Sequence, residues 1–319
     1  MIHIRAVSPT DITPVLVASL SKRPGVLNLI VLGGVARNPD GDAVQFDVIA
    51  AEANEVLHDM RALGVARGGS IIIEDVGAEL SDRANDAEAQ APRALRLSPV
   101  WEEAEARIRG GGRYPPSWFV LLAIAGLIAS VGIFTNSEIL IVGAMVVGPE
   151  YSAIISVALG ITKNDHKRIR AGAAALFFGF LIAIVVTLVF SVVVRASGLE
   201  PEAFRLGIRP VSNLINTPNV FSVVVATLAG IVGVVSLVEA RTGALIGVFI
   251  SVTTIPAAAD IGVSSAFQDW SEAGGSLVQL LLNVAILMAV GAVGLVVQQR
   301  VWRRVGRRTE RAQPGAEHS

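Results

Sequence analysis

The 319-residue chain contains no cysteine. That excludes disulfides, thiol catalysis and thiolate metal sites. Histidine is scarce too. The four residues His3, His58, His166 and His318 form no close-spaced pair of metal ligands, so no metal site is expected. Charge is thin: 17% of residues are Asp, Glu, Lys or Arg, against nearer a quarter in soluble chains. The charges are also unevenly spread. Residues 1–113 hold 12 Lys/Arg and 16 Asp/Glu, residues 114–299 only 8 and 9, and residues 300–319 hold 6 and 2. A soluble part therefore precedes a charge-poor block and a basic tail. With 52% hydrophobic residues and a mean hydropathy of +0.61, a purely soluble protein and a nucleic-acid binder are both excluded. Met1–Leu20 does not read as a signal peptide, because Asp11 interrupts it and no apolar core region is present.

The first eighty residues alternate in type. Ile2–Val7 reads as a strand and Thr10–Ser21 as a helix. Val26–Ala36 and Ala43–Ala50 read as strands joined at Asn38-Pro39-Asp40-Gly41, a turn signal. Glu52–Leu63 reads as a helix and Gly69–Val76 as a last strand. The order βαββαβ predicts a small α+β domain of the ferredoxin-like arrangement, shared by many ligand-binding regulatory domains. The Gly33-Gly34 pair ends a strand and reads as a bulge or turn, not a phosphate loop. Residues 77–97 read as a polar linker. Ser98 and Pro99 open a short helix with Trp101, Ala104 and Ile108 on one face, which lies at the membrane surface or serves as a plain linker. The domain reading is thus 1–80 soluble, 81–114 linker with an amphipathic helix, 115–299 membrane and 300–319 tail.

Six segments are apolar enough to approach the roughly 20 residues that a span needs. They are Trp118–Phe134, Glu138–Ile161, Ala171–Val194, Asn219–Val238, Gly243–Val263 and Ser276–Val297. All four tryptophans fall near segment ends, as in an interfacial belt. Lys163, His166, Lys167, Arg168 and Arg170 follow the second segment, and six arginines lie in the tail. The positive-inside rule then places both termini in the cytoplasm of a bacterial inner membrane.

The segments fall into two sets of three. In each set a first span is followed by a short connection, then by a span interrupted at Pro149 or at Pro256. An odd number of spans per unit inverts the second unit. Inverted repeats with broken helices are a transporter design. The plainer alternative is two kinks that serve packing alone. Glu150 and Asp260 fall inside the broken segments, where a charge is costly and lines a cavity, pairs or titrates. Asp260 could instead sit hydrated near the outer interface. Gly143, Ser251, Thr253 and Thr254 flank the prolines, and the three hydroxyls either meet a substrate or ion or bond back to their own helix. Asn283 in the sixth span bridges helices or touches the substrate. The candidate path is therefore Gly143, Pro149, Glu150, Ser251, Thr253, Thr254, Pro256, Asp260 and Asn283. Ala226 with Gly230, and Ala229 with Gly233, allow close helix approach within or between subunits. Glu150 and Asp260 could in principle supply the two carboxylates of an intramembrane hydrolase, but neither sits in a recognisable catalytic motif and no Ser-His pair is present, so no enzyme and no cofactor are expected.

Several stretches together resemble a bacterial family of multi-span proteins known as an uncharacterised hydrophobic domain, a domain of unknown function. They are Ile141-Val142-Gly143-Ala144-Met145 before Pro149, Thr217-Pro218, Gly247-Val248 before Pro256, and Gly275-Ser276 with Asn283. The resemblance covers residues about 115–299 and implies the multi-span architecture but no particular activity. It also implies a second proline after each break and apolar residues at the two acids. Here Ala153, Ala257, Glu150 and Asp260 stand there instead. The acids thus carry no family-wide role. The reading is a transporter or channel for a small solute or ion, gated by a ligand at the soluble domain. The alternative is a membrane-anchored metabolite or nucleotide sensor without transport. The expected partners are the lipid bilayer, further copies of the chain and an unidentified small ligand, with no nucleic acid.

Overall fold

The computed structural model describes residues 1–76, 80–92, 95, 99–239 and 253–312, with side chains up to Trp302. Ser98, Ser251, the first part of the fifth apolar segment through residue 252, and the tail side chains from Arg303 onward lie outside the described residues. The chain divides into two compact units, one of Met1–Ala104 with the chain from Gln299, the other of Glu105–Gln298.

The first unit begins with β1 (Ile2–Ser8), α1 (Thr13–Leu20), β2 (Val26–Arg37), β3 (Asp40–Val48), α2 (Ala50–Ala62), a single turn α3 (Val65–Gly68) and β4 (Ser70–Asp75). They form a small antiparallel sheet in the order β2-β3-β1-β4. Alternation along β1 sends Ile2, Ile4 and Ala6 into the core. There they meet Val44, Phe46 and Val48 of β3, Leu16 and Leu20 of α1, and Leu57 and Met60 of α2. Burying these apolar faces is what holds sheet and helices together. The β2–β3 register slips between Leu32 and Ala36, at the Gly33-Gly34 pair. Gly34 has φ +63°, and its N–H donates to Asp42 Oδ1 at 2.7 Å.

The segment read as a linker contains a helix, α4 (Asp82–Gln90), with the Ser81 hydroxyl accepting from the Ala84 N–H at 3.2 Å. Its alternating alanines and acids favour a helix but show no apolar stripe, so hydropathy alone does not reveal it. In α5 (Trp101–Gly111), Ala104 and Ile108 are buried. An apolar stripe shows that a helix face is buried, not what buries it.

The second unit is helical: α6 (Pro116–Thr135), α7 (Glu138–Val147), α8 (Glu150–Lys163), α9 (His166–Ser197), α10 (Glu202–Arg205), α11 (Pro210–Asn216), α12 (Val220–Val238), α13 (Thr254–Ala266) and α14 (Trp270–Ala312). Four of these are long and apolar enough to cross a membrane: α6, α9, α12 and α14 over Trp270–Trp302. The second segment read from hydropathy is not one straight helix. It is the pair α7 and α8, bent by 50° at the break, and counting it as one span gives five. The fifth segment is described only as α13, 13 residues long. The six-span reading therefore stands at four helices and one broken pair among the described residues. The turns between helices are built from residues that tolerate positive φ: Asn136 (φ 50°) after α6 and Asn164 (φ 54°) after α8. Asp165 then caps α9 by accepting from the Arg168 N–H at 3.2 Å, so α9 starts a turn before the apolar run does.

Helix α13 lies at the centre of this unit, packed against α6, α7, α9 and α11. Its approach to α9 needs a glycine. A Cβ on Gly262 would collide with Thr187 and come within 2.8 Å of the Leu188 nitrogen and 2.9 Å of the Ile184 carbonyl oxygen. The small residues of α12 are used within the chain. Gly230 faces Val290 of α14, and Gly233 faces Tyr151 of α8.

Candidate functional site

Proline has no N–H and its ring clashes with the preceding turn, so a helix must stop or kink there. Helix α7 ends at Val147, and Pro149 takes the cap position of α8. The break is held in place. The Pro149 carbonyl accepts from Trp118 Nε1 of α6 at 3.2 Å and from the Ser152 hydroxyl at 2.7 Å. Pro256 is placed differently. It lies in the first turn of α13, where the missing N–H leaves no intrahelical bond unmade.

The two prolines stand far apart in sequence, yet the structure brings their neighbourhoods into contact. Ile255, fully buried, packs onto Gly148 so closely that a Cβ on that glycine would collide with it. The Thr254 hydroxyl donates to Glu150 Oε1 at 2.8 Å. Glu150 is buried, 6% exposed, and its other oxygen has no hydrogen-bond partner. The residue before Thr254, Thr253 at the cap position of α13, accepts at its Oγ1 from Asn283 Nδ2 at 3.1 Å and from Gln279 Nε2 at 3.4 Å. Asn283 therefore ties α14 to the start of α13.

Asp260 lies further along α13 in a second polar cluster. It is wholly buried, and both of its oxygens are satisfied. Ser212 of α11 donates to Oδ1 and Ser276 of α14 to Oδ2, each at 2.6 Å. Next to this pair, Arg209 Nη1 lies 3.4 Å from Glu272 and 3.7 Å from Asp269. The Arg209 guanidinium covers the Phe204 ring at 4.1 Å, and Phe204 packs edge-on against Phe134 and Phe267. Two acids and Arg209 thus sit beside an aromatic cluster that Arg195 also covers, at 5.6 Å from the Phe267 ring, and the buried Asp260 is next to them.

The residues singled out from sequence fall into three groups. Pro149, Glu150, Thr254 and Pro256 come together where the breaks meet, with Thr253 and Asn283 beside them. Asp260 belongs to the second cluster. Gly143 is on an exposed face of α7, with no atom within 4 Å of where a Cβ would stand. Ser251 lies outside the described residues. Ser212, Gln279, Arg209 and Glu272 carry no expectation from the sequence, and Ser276 enters there only as part of the family resemblance, not as a path residue. One signal was available for three of them: Glu272, Ser276, Gln279 and Asn283 recur at spacings of four, three and four, a polar stripe on one face of α14. Ser212 and Arg209 lie in and before a short helix with no periodic signal. Among the described residues no group of three or more His, Cys, Asp or Glu could hold a metal ion.

Several long apolar helices around a buried polar centre are the build of a membrane protein. Residues 145–289 match the family described as a domain of unknown function (DUF389). An uncharacterized protein of Methanocaldococcus jannaschii is 21% identical over 178 residues, 56% of this chain and 52% of that protein. The chain spans about half the length of that relative. No solved structure matches.

Proposed function

We propose that the protein is an integral membrane transporter or channel for a small solute or ion. The observation that carries this reading is the meeting of the two proline-flanked helix starts around a buried carboxylate, Glu150 with Thr254. Irregular backbone and buried acids at membrane depth are tolerated where they are buried among helices or line a water-filled pathway. Prolines at corresponding places in the two halves of the apolar sequence support two inverted three-span units, six spans in all. The path runs beside the breaks, with Asp260 further along α13. The strand order and the two crossover helices of the first unit support a ferredoxin-like regulatory domain. The basic turn after α8 and the basic tail support cytoplasmic termini in a bacterial inner membrane. The exposed Phe177 and Phe178 of α9 support contact with lipid or with another copy of the chain.

The test is flux of a panel of ions and small solutes into proteoliposomes. We expect Asp260→Asn to lower flux about tenfold or more, because a buried amide cannot accept from both Ser212 and Ser276 as the carboxylate does. Its folding is checked by elution and by thermal unfolding. Flux no higher than in empty vesicles across the panel removes the reading.

A membrane-anchored sensor without transport is the second reading. It draws on a polar cluster on the sheet, where Asp47 accepts from Asn28 Nδ2 at 2.6 Å and lies 2.7 Å from His3 Nδ1. Binding of a small metabolite by the whole chain that His3→Ala with Asp47→Ala abolishes, in the absence of any flux, would favour it.

A further inference from the structure

Two helices present the same end to one point. Helix α8 starts at Glu150 and α13 at Thr254, and they are 14 and 13 residues long. A helix start carries N–H groups without intrahelical partners and about half a positive charge. Neither start is capped by a side chain, because the cap positions are held by Pro149 and Thr253, which make no such bond. What lies between the two starts is a carboxylate. Glu150 Oε1 is bonded to the first residue of α13. Oε2 folds back over Gly148, so close that a Cβ there would collide with it. That oxygen is buried and has no partner, and the side chain as a whole is 6% exposed. Among the described residues, then, no basic side chain bonds this carboxylate, and its bonded neighbour across the junction is the Thr254 hydroxyl.

This is the arrangement by which helix starts bind free anions. We propose that the junction of α8 and α13 is a binding site for a small monovalent anion, such as a halide, nitrate or short carboxylate. Glu150 fills the site with its own carboxylate until a passing anion displaces it. The inference rests on the transport reading only in making that anion the cargo. Two positive helix ends disfavour a cation at the same point. Ile255 and the carboxylate fill the junction at Gly148, so a ligand that takes the carboxylate's place is no larger than a carboxylate. Trp118 and Ser152 hold the Pro149 carbonyl from outside, so the break keeps its shape when the carboxylate swings away.

The test uses the full chain in detergent, with sodium gluconate replaced stepwise by sodium chloride, nitrate or formate at constant ionic strength. Anion affinity is read from thermal unfolding and by calorimetry. Glu150→Ala is expected to unfold at lower temperature in gluconate and to be rescued by formate and chloride. Its apparent affinity should be about tenfold or more above the parent's, since the built-in competitor is gone. If that variant does not fold, Glu150→Gln carries the test: it keeps the shape without the charge and should gain about threefold or more. No gain in either variant overturns the proposal. So does a response to sodium titrated against a bulky organic cation in place of a response to anions. Chloride flux in proteoliposomes is measured separately. Anion binding by Glu150→Ala without flux retains the site and removes the transport reading, whereas flux that rises with binding supports both.

Discussion

Individual ionic groups outside the apolar helices stabilise the chain in a pH-dependent way. Glu105 of α5 shows how. Burial by itself would raise its pKa, but hydrogen bonds from Arg109 and from Lys163 at the end of α8 outweigh that and hold it below the ordinary 4.5. A carboxylate whose pKa is lowered by folding adds stability at neutral pH, and that stability is lost as pH falls through the folded value. Glu105→Gln should therefore destabilise the protein by about 1 kcal/mol at pH 7, since it leaves two exposed cationic donors with a weaker, uncharged acceptor. The difference should close below pH 4.5. Thermal unfolding of parent and variant between pH 3 and 7 checks this. A difference that stays constant over that range would assign the effect to packing instead. The buried acids of α8 and α13 differ in another way. Their partners are hydroxyls, and what distinguishes them is whether both oxygens are satisfied, as in Asp260, or one is left, as in Glu150.

Helices in this protein are positioned by close backbone approach as much as by apolar area. The pairing of α13 with α9 at Gly262 is the clearest case, because the atoms in the way of a side chain belong partly to backbone and cannot rotate aside. Gly262→Ala should push the two helices apart and cost about 1–3 kcal/mol. The expected outcome is a lower unfolding temperature for the full chain. The same change at Gly143, where space is open, should not lower it. Equal effects at both positions would mean that the α13–α9 contact is not tightly packed. Helix starts matter at the same scale. The Asp165 cap and the two uncapped starts of α8 and α13 are set by sequence, but only the last two face one another.

The whole molecule combines a small antiparallel sheet domain with an apolar helical unit. Helix α9 has 32 residues and is about 48 Å long, against roughly 30 Å of hydrocarbon. It is long enough to place its two ends on opposite sides of a bilayer. With no native cysteine, single substitutions report on this directly. Lys167→Cys and Arg205→Cys, both at exposed positions, should each react with an impermeant thiol reagent from one side only, and from opposite sides. Lys167 should be the cytoplasmic one, because positive charge is retained there. Labelling of both from the same side would mean that α9 does not cross.

The amino-acid sequence determined the apolar helices themselves, since about 20 residues without charge fix a span by transfer energy alone. It also determined the order of the N-terminal strands and helices, through alternation in β1 and the turn at Asn38-Pro39. The prolines at 149 and 256 marked where helices must stop or start, because a missing N–H and a ring clash are local properties. It did not reveal α4, whose polar face carries no stripe. Nor did it reveal that the second apolar segment bends by 50°, since hydropathy sums composition and is blind to direction. Which polar groups share a site was decided only by the tertiary structure. Glu150 and Thr254 are 104 residues apart, and Ser212 meets Asp260 across 48. Contacts at such separations come from how helices pack, and packing depends on the shapes of several faces at once, such as the glycine surface that lets α13 into the centre.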